Sequence, residues 1–240
     1  MRLSKDSMLE ASPVCEGPLI LRRWALSDTY ARAEWPSYAP DYVGFNFALR
    51  GASRDELDRH FLARDQDPGR IPLAADHGEQ QAIAYFALHE IDWARRVVGN
   101  VGFRVRPEWC DRGYGPRILR LAGEWCRECG IQSIRLDVAA PNIRAVRCYE
   151  KAGMHRTREF WREARDLAGI DIADKEHDLL RPHFRIERGV PQVRFWWMEL
   201  ETARDTRDSD LCTTLDMGDC PWCPAPGSPG LEQNRHETDA

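Results

Sequence analysis

Trp109-Cys110-Asp111-Arg112-Gly113-Tyr114-Gly115 stands between two runs of opposite character. Before it lies an apolar stretch, Val97 to Val105; after it comes an amphipathic one, Pro116 to Cys129. These patterns predict strand, glycine loop, helix. A glycine loop at a helix start leaves backbone N–H groups without intrahelical partners, at the positive end of the helix dipole. Phosphate and pyrophosphate groups bind in that setting. Further along, the stretch from Asn142 to Gly153 reads as a short helix with a phenol, Tyr149, in its last turns. A phosphate cradle followed by a placed phenol predicts transfer chemistry on a pyrophosphate-bearing cofactor.

Working outward, residues 1–16 read as a flexible N-terminal arm. Leu19 to Leu21 reads as a short strand, and Ser27 as the cap of a helix running to about Trp35, stopped by Pro36. Ser53-Arg54-Asp55-Glu56 is a capping box with Leu57 and Phe61 on one face behind it. Ile71–Ala75 and Ala82–Ile91 read as strands separated by a turn over Asp76 to Glu79. Gly99 and Gly102, inside the strand Val97–Val105, predict a bulge or a close backbone approach. The next helix starts at Pro116 and buries Ile118, Leu119, Ala122, Trp125 and Cys126; Gly130 ends it. Ile134–Val138, His155–Glu163 and Val193–Leu200 complete the strands, with a short helix expected within Asp174–Phe184. Strands and helices in this order predict a layered α/β (α+β) fold. The tail from residue 204 to 240 has few large apolar residues and a Pro/Gly stretch, and reads as disordered.

A chain of 240 residues, 42% hydrophobic, can fill one sizeable core. Its net charge of −5 argues against generic nucleic-acid or membrane-surface binding. No run approaches the ~18 apolar residues of a membrane helix, and Met1 to Val14 has no apolar signal core. The expectation is a cytoplasmic protein. Cys126/Cys129 and Cys220/Cys223 have CxxC spacing and together could form a four-thiolate zinc site. Against zinc, Cys126 belongs to a helix face and Cys220 and Cys223 to the tail, so no metal is expected.

Both blocks resemble the acyl-CoA-binding core of the GCN5-related N-acetyltransferases (GNAT). That family's loop pattern is Arg/Gln-x-x-Gly-x-Gly/Ala; here it is Cys110-x-x-Gly113-x-Gly115, with Cys110 replacing Arg/Gln. The later pattern, Asn-x-x-Ala-x-x-x-Tyr-Glu-Lys-x-Gly-Phe, is met from Asn142 to Gly153, with Met154 in place of Phe. The resemblance implies a mixed central sheet flanked by helices over residues 17–203. It also implies acetyl-CoA as donor, an amine as acceptor, and direct transfer in a ternary complex. The backbone of Phe103, Arg104 and Val105 would pair with the pantetheine arm. Cys110 through Pro116, that is Cys110, Asp111, Arg112, Gly113, Tyr114, Gly115 and Pro116, would hold the pyrophosphate, with Arg112 or Arg117 adding charge. Asn142 would bond the pantetheine amide, and it also suits a plain helix cap.

By the same resemblance Tyr149 is the general acid, since a phenol near pKa 10 is protonated at neutral pH. Asp137 stands five residues before Asn142, at the offset where some members carry a base. It serves equally as a salt-bridge partner for an arginine. The implied acceptor is a small amine, aminoglycosides slightly favoured. The alternatives are a protein N-terminus or ribosomal protein, a non-catalytic CoA-binding module, and a zinc-organised binding protein. Monomer and homodimer both fit.

Overall fold

The computed structural model describes residues 3–38, 49–164, 178 and 180–202. Five helices and nine strands are described: α1 Lys5–Glu10, β1 Val14–Glu16, β2 Leu19–Arg23, α2 Leu26–Ala33, α3 Arg54–Asp65, β3 Ile71–His77, β4 Gln80–Asp92, β5 Val97–Val105, α4 Tyr114–Glu128, β6 Ser133–Ala139, α5 Ile143–Lys151, β7 His155–Glu163, β8 Phe184–Glu187 and β9 Val190–Glu201. The strands form one mixed sheet in the order β1-β2-β3-β4-β5-β6-β9-β7, with β8 also on β9. Neighbours pair antiparallel except β5 and β6, which are parallel.

The sheet is covered on both faces. Ala82 through Leu88 of β4 are all buried, as a central strand between two layers requires. Phe86, Leu88, Leu136 and Val138 join Ile118, Leu119, Trp125 and Val146 from α4 and α5 in the main core. The opposite face carries Trp24, Ala74, Tyr85 and Ala87, with Trp35 and Phe61 packed against them from the α2–α3 side.

The N-terminal segment is not an arm. Ser4 and Ser7 form a reciprocal capping box at the start of α1, and Met8 is fully buried in the main core. β1 then pairs with β2, Val14 opposite Leu21. Two adjacent apolar residues, Met8 and Leu9, on so short a helix leave almost no periodicity, which hides the segment from a sequence reading.

Four other boundaries move. Helix α2 is capped from Ala25 rather than Ser27: Asp28 accepts the Ala25 N–H at 2.8 Å, while its own side chain is locked by Arg22 at 2.7 Å. It ends at Ala33. Asp76 stays in β3, accepting the Ala82 N–H. Helix α4 begins two residues before Pro116. The pairing of β4 with β5 has no register shift; the two glycines instead make close approaches, since a Cβ on Gly102 would lie 2.7 Å from His89 Nε2. Most of the helix expected within 174–184 lies outside the described residues. The part described is a 3₁₀ turn, Arg181–His183, running into β8. The tail, with Cys220 and Cys223, also lies outside them. Among the described residues no helix is long and apolar enough to cross a membrane.

Met8→Ala is expected to lower unfolding stability by roughly 2–5 kcal/mol, the range for emptying a buried large side chain, as read by urea denaturation. A change under about 0.5 kcal/mol, typical of exposed positions, would return this segment to a loosely attached arm.

Candidate functional site

Strands β5 and β6 pair only at Val97↔Ser133 and Val98↔Ile134. Beyond Val98 no further pair joins them, although β5 runs on to Val105 and β6 to Ala139. Asn100 spans the start of this gap. Its Oδ1 accepts the Val101 N–H at 2.8 Å, and its Nδ2 donates to Asp137 Oδ1 across the gap at 3.1 Å. At the far end the Tyr38 hydroxyl donates to the Val105 carbonyl at 2.6 Å. The Arg106 N–H donates to Ile83 O, so strict alternation turns the N–H and C=O of Arg104 toward β4 and those of Phe103 and Val105 toward the gap. Of the three residues expected to offer backbone to an extended ligand, Phe103 and Val105 face the gap. Arg104 contributes its side chain instead.

The glycine loop closes the wide end. Gly113 is the N-cap of α4 with φ +82°, a left-handed conformation suited to glycine. No side-chain oxygen caps α4, and its first turn has no acidic residue. The first-turn N–H groups and the dipole are therefore left for an external anion. Pro116 falls in that turn, where its missing N–H costs no helix bond. Gly115 is required for packing: a Cβ there would lie 2.6 Å from Cys148 Sγ on α5. Tyr114 fixes the loop to β3, its hydroxyl 3.3 Å from His77 Nε2 and its ring edge-on to Trp109.

Cys110 turns inward, Sγ 3.6 Å from the Val105 carbonyl, and burial pushes its thiol pKa up. It brings no charge to the loop. Arg117 is paired with Glu16 at 3.1 Å, which leaves exposed Arg112, 5.8 Å from the Trp109 ring centroid, as the loop's available cation. Asp111 is exposed with φ +59°.

Asn142 caps α5, Oδ1 accepting the Ala145 N–H at 3.2 Å. Its amide nitrogen has no partner among the described residues. Tyr149, in the following turns, is 7% exposed. Burial, then Cys148 and Asp137, raises its pKa well above that of a free phenol. Its hydroxyl has no hydrogen-bond partner among the described residues. Asp137 holds Arg162 Nη1 at 3.1 Å through Oδ2, with its side chain 12% exposed. Tyr149 feels Asp137, Arg104 and Tyr38 electrostatically, and Tyr38 feels Arg104, which places strand β5, strand β6 and helix α5 near one another. Tyr38, Asn100 and Arg162 were not legible in the sequence: each lies far along the chain from the residue it serves, with no local pattern to mark it.

On the α2–α3 side the site has a cationic floor. Arg32 lies over the Tyr85 ring at 4.5 Å, and Tyr85 stands opposite Arg104 on β5. Arg64 donates to the His60 carbonyl. The Nδ1 of His60, Nε2 of His89 and Nε of Arg70 are buried without a hydrogen-bond partner among the described residues. Burial, with neighbouring arginines adding to it, pushes both histidines down to about 4. Among the described residues no cluster of His, Cys, Asp or Glu could hold a metal ion. Cys126 is fully buried and Cys129 half-buried on α4.

A family model described as the acetyltransferase (GNAT) family matches residues 26–154. The spermidine N-acetyltransferase from Vibrio cholerae, solved in complex with CoA and spermine, superposes with a TM-score of 0.56 at 18% identity, over 77% of this chain and 96% of that one. The spermidine/spermine N-acetyltransferase SpeG from Vibrio cholerae with manganese ions gives 0.54 at 16% identity, over 81% and 95%. At such identities the likeness is one of fold. Comparison with curated proteins gives no match.

Gly115→Ala should lower the melting temperature through the clash with Cys148, by the equivalent of about 1–3 kcal/mol for an overpacked site. Adding Cys148→Ala should recover most of the loss; a double variant no more stable than Gly115→Ala would show that the crowding lies elsewhere.

The two histidines set a second expectation. Unfolded histidine titrates near 6.5, whereas His60 and His89 titrate near 4 when folded. Between these values the unfolded chain takes up protons that the folded chain refuses, so stability falls as pH drops from about 6.5 to about 4. Urea midpoints across this window should decline, and less steeply in His89→Gln. An equal slope in that variant would remove His89 from the account.

Proposed function

Because the chain belongs to the acetyltransferase (GNAT) family, an acyl-CoA-dependent N-acetyltransferase class with acetyl-CoA as donor, we propose that it transfers acetyl directly to a primary amine in a ternary complex, with Tyr149 as acid and Asp137 as base. The observation that carries this reading is the unpaired part of β5, with Asp137 tied to its start through Asn100 and with Tyr149 near enough to feel Asp137 and Arg104.

The residues fit the donor. The N–H and C=O of Phe103 face the gap, where an extended amide-bearing arm can bond them as a strand would. The first turn of α4, with Gly113 open to solvent and no acid of its own, takes the pyrophosphate, and Arg112 adds charge. The free Asn142 amide nitrogen is available to a carbonyl of the same arm.

The acceptor nitrogen forms a bond to the thioester carbon as the carbon–sulfur bond breaks. The proton leaving nitrogen passes through a water to Asp137, whose own oxygens are held by Asn100 and Arg162. The proton arriving at sulfur comes from Tyr149. Its raised pKa keeps that hydroxyl protonated through the neutral range, and the absence of a protein partner leaves the proton free to be given. Holding both reactants in line contributes the remainder, by converting an encounter into a positioned reaction.

Tyr149→Phe retains the ring and its packing and deletes the proton. Turnover, read as free CoA release, should fall by roughly 10²–10⁴, the usual contribution of one acid–base group, with acetyl-CoA affinity nearly unchanged. A folded, acetyl-CoA-binding Tyr149→Phe protein that works at the parent rate would reduce Tyr149 to a packing residue. In the companion variant Asp137→Asn, a base would show a rate loss steepest at low pH, where the amine is most protonated. A purely structural partner of Arg162 would show lost stability instead.

A further inference from the structure

We infer that the acceptor is an amine that also carries an oxyanion, a carboxylate or a phosphate, bound by Arg32 and Arg64 beneath α2 and α3 while its nitrogen faces Asp137. The inference rests on the transfer reading above and adds the chemical class of the acceptor.

Register fixes the face. Tyr85 stands opposite Arg104, Ala87 opposite Gly102 and His89 opposite Asn100 across β4–β5, so these side chains share one side of the sheet. Asn100 reaches Asp137 from that side. Helix α2 lays Arg32 on Tyr85, and α3 brings His60 and Arg64. Among the described residues this side therefore has Asp137 at the β6 end and a group of guanidinium ions toward α2 and α3.

Four acids near these helices already face other arginines. Asp28 and Asp76 hold Arg22 at 2.7 and 2.6 Å, Asp65 holds Arg23 at 2.8 Å, and Asp67 faces Arg70 at 3.7 Å. Arg32 and Arg64 have no carboxylate partner among the described residues. Burial and mutual repulsion press the Arg32 guanidinium down to about 10, a sign that an opposing charge would be welcome there. Guanidinium forks bind carboxylate and phosphate in pairs of parallel bonds. An amine whose own anion occupies this end would place its nitrogen toward Asp137. A spermidine or an aminoglycoside would set cation against cation.

The test is an acceptor panel of matched pairs, with free CoA as the readout: amino acids against their amides, and phosphoethanolamine against ethanolamine. Spermidine and an aminoglycoside serve as polycations. The anionic member of a pair should have the higher kcat/KM by about 10- to 100-fold, the range for a charged hydrogen-bonding partner. Which pair shows the preference separates carboxylate from phosphate. Arg32→Met and Arg64→Met should shrink that preference toward unity through KM, leaving the acetyl-CoA-induced thermal shift intact. If a methionine variant fails to fold, Arg32→Lys and Arg64→Lys keep the charge, lose the fork, and should still cut the preference several-fold.

A readout independent of turnover is the share of the stabilisation by inorganic phosphate, at fixed ionic strength, that the arginine variants lose; the α4 cradle supplies the remainder in parent and variants alike. Equal or better use of the neutral twin or of the polycations, or a phosphate shift as large in both arginine variants as in the parent, would overturn the inference. Failure of acetyl-CoA to bind at all would instead sink the transfer reading, and the phosphate shift would still judge the arginine site by itself.

Discussion

The structure turns on a ladder that stops early. Strands β5 and β6 are the one parallel pair among the described strands, and they share two residue pairs before parting. Asn100 sits at the fork and replaces ladder bonds with side-chain ones, to the Val101 N–H and to Asp137. Parallel strands send the chain out at the same end, so the segments after β5 and β6 both leave beside the gap. Helices α4 and α5 follow them, each starting from the end of its strand. The close approach of Gly115 to Cys148 records how tightly the start of α4 is pressed against α5. An open polar strand edge and two helix dipoles thus face one volume, an arrangement the opening of an α/β sheet at a strand fork produces as a matter of topology.

The two faces of the sheet then do different work. On the α4–α5 face, apolar packing of Phe86, Leu136, Val138 and Trp125 fixes the helix carrying Tyr149. Burial that stabilises this face also holds the phenol in its protonated form, so packing and proton supply have one cause. On the α2–α3 face the packing is aromatic and cationic, with Arg32 and Trp24 on Tyr85. Charge buried without local compensation weakens a fold, and such groups cluster where a ligand completes them. Asp137 lies where the two faces communicate through the gap. It is locked by Arg162 and Asn100, which makes it a rigid landmark as well as a titratable group.

What could be read along the chain was whatever has a short period. Strand β4, strand β5, the glycine loop, helix α4 and the Asn142 cap declare themselves by alternation, by glycine spacing or by a capping oxygen, and each stands within a residue or two of its expected place. The N-terminal segment failed that test because its attachment rests on one buried methionine and a three-residue strand. Helix α2 misled because its cap is built from Asp28, three residues in, on a backbone N–H that any residue could offer. The chain alone could name Asp137 without deciding between base and ion-pair partner, since Arg162 reaches it from a strand two places away in the sheet.

By itself, then, the sequence determined a phosphate-accepting loop ahead of an amphipathic helix, a capped helix bearing a phenol, and a layered sheet to carry them. Those follow from interactions between residues a few positions apart. Only the tertiary structure decided that the ladder breaks after Val98, that Phe103 and not Arg104 turns its backbone into the gap, and that Tyr38 and Asn100 guard its two ends. It also decided that arginines from α2 and α3 gather over Tyr85. These depend on strand partnership and register, quantities set by the whole core closing at once, for which no local stretch of chain carries a signal.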